Sequence, residues 1–191
     1  MEAYVQFRYY DLAIGEREVI YTYLTKSFYV MEEETSIDEI QKEQSYALGD
    51  DDSITYIELS FSSKFDDLFF SSIRPDRWQS IKNILKEIKH RRGKMPVVVL
   101  FKFIGANNLN SEIVFCIKNK FEKQFDMAIE KIEYLVDIIP SQLNLLPETM
   151  LEVIYSFDDS SGKWIPFQAT NTNRDKNSRF VFSDGKWTII G

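Results

Sequence analysis

The chain has 191 residues, 44% apolar and 28% charged, with 15 Phe and 10 Tyr, a composition that suits one domain with a single sizeable core. The longest unbroken apolar run, Met95 to Phe101, is far short of the ~20 residues a membrane-spanning helix needs. Met1-Glu2-Ala3-Tyr4 lacks the basic and apolar stretches of a signal peptide, and the lone Cys116 excludes an internal disulfide or a cysteine-rich zinc site. These features predict a cytoplasmic protein with no membrane partner.

The net charge of −7 is unevenly placed. Residues 31–52 hold nine acids (Glu32, Glu33, Glu34, Asp38, Glu39, Glu43, Asp50, Asp51, Asp52) against Lys42. Residues 74–94 hold eight bases (Arg74, Arg77, Lys82, Lys86, Lys89, Arg91, Arg92, Lys94) against Asp76 and Glu87. Overall acidity is therefore a poor argument against an anionic partner.

In chain order, Tyr4–Tyr10 and Glu18–Tyr29 are rich in Tyr, Val and Phe and predict two strands around a turn near Gly15. Ser36 with Glu39 fits a capping box for a short helix to about Tyr46. Residues 53–62 alternate, with Thr55, Ile57, Leu59 and Phe61 on one face and Tyr56, Glu58 and Ser60 on the other. Pro75 opens a helix carrying Trp78, Ile81, Ile84, Leu85 and Ile88 on one stripe, and Gly93 stops it. Val97–Phe103 is apolar on both sides and predicts a strand covered on both faces. Glu112–Lys118 is the next strand. A helix from about Lys120 to Ile138, ended by Pro140, and a strand over Met150–Phe157 follow. The tail carries two hairpin signals, Asp158–Gly162 and Asp184-Gly185, separated by a polar loop over Thr170–Ser178. Each signal runs Gly-Lys-Trp into the next strand.

From Ser53 to Phe157 the order is strand, helix, strand, strand, helix, strand. This is the element order of the ferredoxin-like fold, so the expectation is an α+β domain with spatial strand order 4-1-3-2 and two helices on one face. The whole of 1–191 then forms one domain. Its parts are N-terminal strands and acidic segment (1–52), ferredoxin-like core (53–157) and C-terminal hairpin extension (158–191). The other sheet face carries Val98, Leu100, Val114 and Ile154 and needs a cover, which the terminal strands or a second subunit would supply.

Chemistry is constrained mostly by what is missing. No two of the seven glycines lie within five positions, so no phosphate-cradling loop or nucleophile elbow exists. His90 is the only histidine and sits among Lys89, Arg91 and Arg92, cations that disfavour its protonated form. Cys116, in an apolar strand, reads as a buried thiol. Asp50–Asp52, Asp66-Asp67 and Asp158-Asp159 lack the spacing of a calcium loop.

Strand parity offers one sharper possibility. In the 4-1-3-2 order, Glu58 and Glu152 become cross-strand neighbours on the open face, near Tyr56 and Lys102. Two close carboxylates would separate their pKa values and line a groove. An RNA-binding sheet of this fold needs outward aromatics and glycine in its third strand, which Glu112–Ile117 lacks. Trp164 and Trp187, with Phe167, Phe180 and Phe182, suit ordinary cross-strand packing in the tail.

The reading that emerges is a small non-catalytic interaction or ligand-binding protein without metal or cofactor. Its candidate surfaces are the groove residues Tyr56, Glu58, Lys102 and Glu152, and the acidic residues Glu32, Glu33, Glu34, Asp50, Asp51 and Asp52. The acidic surface would meet a basic protein partner or a second copy, or pair with the basic helix of the same chain. Two alternatives stand beside this. One is nucleic-acid binding through Arg74, Arg77, Lys89, Arg91, Arg92 and Lys94; the other is a carboxylate-dependent enzyme.

Overall fold

A computed structural model describes residues 3–44, 46–48, 53–106, 110–145, 150–173 and 176–190. All its strands belong to one mixed sheet, with helices on both faces. The strands are β1 (Tyr4–Tyr10), β2 (Tyr29–Glu34), β3 (Thr55–Phe61), β4 (Val97–Phe103), β5 (Glu112–Ile117), β6 (Glu152–Asp158), β7 (Lys163–Asn173), β8 (Lys176–Ser183) and β9 (Lys186–Ile189). The helices are α1 (Ile14–Leu24), α2 (Ile37–Glu43), α3 (Asp67–Ile73), α4 (Pro75–Arg92), α5 (Glu122–Glu130) and α6 (Ile139–Leu143).

The sheet order is β2-β1-β3-β4-β5-β6-β7-β8-β9. The pairs β1/β2, β3/β4 and β5/β6 are parallel and the rest antiparallel. Three strand–helix–strand units therefore lie side by side, and in each the crossover returns to the immediate neighbour. This overturns the ferredoxin-like arrangement. The four core strands lie in the order 1-2-3-4, not 4-1-3-2. The flank of β3 that the fourth core strand would occupy is taken by β1, which pairs from Val5↔Phe61 to Tyr10↔Tyr56. Element order carried no information about that competitor.

Three local expectations also change. The stretch assigned to a second N-terminal strand is mostly α1, because Glu16, Ile20 and Leu24 recur every four residues and all turn inward. Its strand-like residues Val19 and Tyr21 face solvent. The helix expected over 120–138 stops at Glu130 and continues as a single 3-10 turn, Glu133–Leu135; Pro140 lies in the first turn of α6 rather than ending a helix. The polar stretch 170–178 belongs to the β7–β8 hairpin, apart from residues 174–175, which lie outside the described residues.

The main core lies between the sheet and helices α1 and α3–α6. It contains Ile57, Leu59, Phe61, Val99, Phe101, Phe115 and Tyr155, as parity predicts. Phe61, Phe69, Phe103 and Trp78 form an edge-to-face aromatic cluster there. Trp164 donates its indole N–H to the Ala128 carbonyl at 3.0 Å, fastening β7 under α5. In the β8–β9 turn both Asp184 (φ 51°) and Gly185 (φ 74°) are left-handed, as a two-residue hairpin turn requires.

The opposite face is covered by a different element from the one expected. The terminal strands extend the sheet sideways, and the acidic segment folds over it instead. Ser36 caps α2 through a capping box with Glu39. Ile40 and Ala47 then pack on Tyr56, Val98, Leu100, Val114, Cys116 and Ile154, flanked by Tyr46 and Leu48. This strap seals one end of the face, and among the described residues nothing covers the other end.

Candidate functional site

The register of the sheet aligns the open-face residues in rows. One row runs Arg8, Glu58, Leu100, Cys116, Ser156; the next runs Gln6, Ser60, Lys102, Val114, Ile154, Gln168. Beyond them Glu112, Glu152, Thr170 and Arg179 follow one another across β5 to β8. The rows turn from apolar under the strap to polar beyond it. At that polar end a cleft of about 340 Å³ opens, with Gln6, Arg8, Ser60, Lys102, Ile104 and Glu112 on its walls.

Glu58 anchors the boundary between the covered and open ends. It is 2% exposed, yet it is surrounded by donors. Gln44 Nε2 lies 2.7 Å from Oε2 and Ser60 Oγ 2.8 Å from Oε1, and the Tyr56 hydroxyl bonds both Gln44 and Glu58. Lys102 Nζ is 3.2 Å from Oε1 and Arg8 Nη1 3.7 Å from Oε2. Burial alone would raise this carboxyl's pKa. The Lys102 charge and the hydrogen bonds from Tyr56, Gln44 and Ser60 outweigh it and hold the pKa below the usual value. A carboxylate held ionised by so many donors is a poor proton acceptor.

The expected Glu58–Glu152 pair does not form, because β4 and β5 lie between their strands. Tyr56 is fully buried beneath the strap and does not line the cleft. Glu152 instead faces Glu112, its register partner on the adjacent parallel strand. Burial raises both pKa values; Glu112 repels Glu152 more than Lys102 attracts it, whereas on Glu112 the pull of Lys102 exceeds the repulsion from Glu58. Neither forms an ion pair among the described residues. Nearby, the Tyr46 hydroxyl is buried with no hydrogen-bond partner among the described residues, although Glu152, Cys116, Glu58 and Glu112 all act on it electrostatically.

Among the described residues the acids of this segment stay exposed, and their ion pairs run to Arg8 on β1 and Arg17 on α1, not to the basic helix. Arg8, 8% exposed, reaches Glu43 at 2.7 Å and the Thr35 hydroxyl at 3.2 Å, with Glu33 3.7 Å away. Glu33 also accepts from Gln6, and Glu32 pairs with Arg17 at 3.1 Å. Glu34 acts on Arg17 through space. Asp50, Asp51 and Asp52 lie outside the described residues.

The bases of α4 are engaged within the chain as well. Arg74 pairs with Asp76, Arg77 bonds the Lys26 carbonyl and Ser27, and Arg91 pairs with Glu87. Arg92 reaches Glu16 at 2.8 Å and Thr55 at 2.9 Å. Lys82 and Lys86 hold Glu130, and Lys82 also holds Glu133. Lys89 is wholly buried and donates to the Gly93 and Met95 carbonyls, so it is a helix cap and not a surface cation. Lys94 is exposed. His90 also departs from expectation. A 2.7 Å hydrogen bond to Glu122 raises its pKa despite the neighbouring cations.

The remaining acid clusters have structural roles. Asp66 caps α3 by accepting from the Phe69 amide at 2.9 Å, and Asp158 holds the β6–β7 turn through Ser160 and Ser161. Among the described residues, no group of three or more His, Cys, Asp or Glu is arranged to hold a metal ion. No described helix is long and apolar enough to cross a membrane.

Sequence reasoning passed over Arg8, Gln44, Tyr46 and Glu112. The first had a usable signal: Gln6 and Arg8 alternate with Val5, Phe7 and Tyr9, which marks a polar open face on β1. The others depend on where the strap crosses the sheet and on which strand neighbours β6, neither of which is local.

Comparison with known proteins finds no match, whether to a family model, to a curated protein or to a solved structure.

Proposed function

We propose that this chain is a small non-catalytic binding protein whose recognition surface is the uncovered end of the sheet face. One observation carries this reading. The same face is sealed by apolar packing at one end, while at the other it presents polar side chains on a rigid sheet around an open cleft. Lys102 is fixed there by Glu58, so at least one polar wall is ordered before any ligand arrives.

The side chains best suited to catalysis support binding over chemistry. Glu58 is saturated with donors, and the Cys116 thiol, beneath the strap, is pushed up to about 11 by burial. Glu43 of the strap and Glu32 and Glu33 of β2 pair with Arg8 and Arg17, which favours the sheet over the acidic segment as the proposed surface. The cations of α4 are largely paired in the same way, leaving little free positive field for nucleic acid.

A fragment screen followed by amide chemical shifts tests the proposal. Ligands are expected to shift the amides of Gln6, Ser60, Lys102 and Glu112. Hits that map to α4 instead, or none at the cleft, would overturn it.

A further inference from the structure

We infer that the open cleft receives one neutral pyranose ring, with a C–H face against Tyr4 and hydroxyls on Gln6, Arg8, Ser60, Lys102 and Glu112. The inference rests on the sheet-face reading and names the class of its ligand.

Charge excludes the alternatives first. All six residues line the same cavity of about 340 Å³. Its charged walls are two cations, Arg8 and Lys102, and two carboxylates, Glu58 and Glu112, so an ion of either sign entering it meets like charge. An anion also lacks a fork to grip. Arg8 spends Nη1 on Glu43 at 2.7 Å and Nη2 on the Thr35 hydroxyl at 3.2 Å, and Lys102 lies 3.2 Å from Glu58. A neutral ligand carries none of these costs.

The hydrogen-bonding capacity left over is of both kinds. Arg8 is 8% exposed, and its Nε–H is buried with no hydrogen-bond partner among the described residues. Such groups are normally satisfied, so an acceptor is wanted on this wall. Ser60 donates its hydroxyl to Glu58 at 2.8 Å and keeps lone pairs; Gln6 donates its amide to Glu33 at 2.8 Å and keeps its carbonyl oxygen. Lys102 has three N–H groups and Glu112 two acceptor oxygens. A hydroxyl both donates and accepts without bringing charge, and several on one ring can meet scattered donors and acceptors together.

The cleft is also two-sided, as a pyranose is. Gln6, Ser60 and Lys102 share one row of the sheet and give it a polar floor. One step beyond them stand Tyr4, 42% exposed, and Ile104, 54% exposed, as apolar surface at the rim. A tyrosine ring offers its face to C–H groups while staying wet at its hydroxyl. The volume lies at the small end of the ~300–1,000 Å³ range of ligand pockets, which suits a single ring with a few waters.

The test is a titration of the full chain, read by amide chemical shifts at neutral pH. The probes are the methyl pyranosides of glucose, galactose and mannose, with cyclohexanol, glucosamine and glucuronate as comparisons. At least one methyl pyranoside is expected to shift Gln6, Ser60, Lys102 and Glu112 saturably, with a dissociation constant of about 1 mM, ordinary for so few atoms. Cyclohexanol should leave these amides unmoved, and the charged sugars should bind more weakly than the neutral ones. Glu112→Gln keeps an acceptor and should hold affinity within about threefold, whereas Glu112→Leu should lose about tenfold. Tyr4→Phe should bind like the parent and Tyr4→Ala about tenfold more weakly. Glu87→Gln on α4 should change nothing. Thermal melts confirm that each variant folds, and the two Glu112 variants decide the matter if Tyr4→Ala does not. Silence from all the methyl pyranosides at about 50 mM would overturn the inference. So would an equal response to cyclohexanol, tighter binding of a charged sugar, or full affinity in Glu112→Leu. If fragments of other chemistry still shift Gln6 and Ser60, only the sugar assignment falls; if nothing shifts the cleft, the sheet-face reading falls with it.

Discussion

Gln44 donates its side-chain amide to Glu58 at 2.7 Å, joining the end of the strap to the middle of β3. The bond runs from a segment rich in acids to a buried carboxylate, a contact that would be repulsive without an amide between them. Arg8 completes the arrangement by holding Glu43 on the strap and facing Glu58 on the sheet. The acidic segment stays on an acidic site because neutral and cationic side chains intervene.

Gln44→Leu keeps the volume and removes the donor. The variant is expected to lose about 1.5–3 kcal/mol of stability, the usual worth of a hydrogen bond to a charged group. Urea unfolding measures it, and a midpoint equal to the parent's would mean that Gln44 is not what holds the strap.

Cys116 reports on the same strap from below. It is 3% exposed and packs with Ile40, so a thiol reagent reaches it only when the strap lifts. Labelling by Ellman's reagent should be slow in the native protein and fast in urea. Ile40→Ala, which truncates the strap's largest buried aliphatic side chain at a cost of about 2–5 kcal/mol, should accelerate it in buffer. Fast labelling of the parent chain would show that the strap does not close over the sheet.

Opposite pKa shifts on one face give a stability profile with two limbs. Glu58 has a depressed folded pKa, so its contribution is present above the unfolded value of about 4.3 and is lost as pH falls through the folded one. Glu112 and Glu152 have raised folded pKa values; the native state binds their protons more readily, and stability grows as pH falls from neutral toward the unfolded value. Stability should therefore peak at mildly acidic pH. Glu152→Gln should raise stability at neutral pH by about 0.2–1 kcal/mol, the range for relieving a like-charge neighbour, with the gain gone below about pH 4. Thermal melts across pH read both limbs, and a loss of stability at neutral pH in Glu152→Gln would contradict the assignment.

Local pattern was legible and pairing was not. Alternation correctly separated Ile57, Leu59 and Phe61 from Tyr56 and Glu58, and Val153 and Tyr155 from Glu152 and Ile154. The capping box at Ser36 and the turn at Asp184-Gly185 were also readable, since each is set by side chains within a few residues. Strand adjacency depends on contacts far apart in sequence. No property of β3 alone says whether β1 or β6 lies beside it, and the supposed Glu58–Glu152 pair failed on that point. The ion pairs of the acidic segment were not legible for a similar reason: nothing in the excess over 31–52 says that Arg8, more than twenty residues upstream, lies beside Glu33 and Glu43.

The basic helix gives the last expectation. Lys82 is 2% exposed at its side chain and held by Glu130 and Glu133, and Lys86 shares Glu130 at 2.5 Å. Burial would raise the Glu130 pKa, but hydrogen bonds from Lys86, Lys82 and Gln79 bring it down to about 2. These charges are therefore used between α4 and the end of α5 with the 3-10 turn that follows it. A phosphate backbone would have to displace the carboxylates before gaining contacts of its own. Fluorescence anisotropy with a labelled single strand of about 20 nucleotides, at about 50 mM salt, should show no saturable binding. Glu130→Gln with Glu133→Gln should uncover Lys86 and leave Lys82 unpaired, which both destabilises the fold and creates weak, salt-sensitive affinity. Tight binding by the parent chain, falling steeply with salt, would return α4 to the role of a nucleic-acid interface.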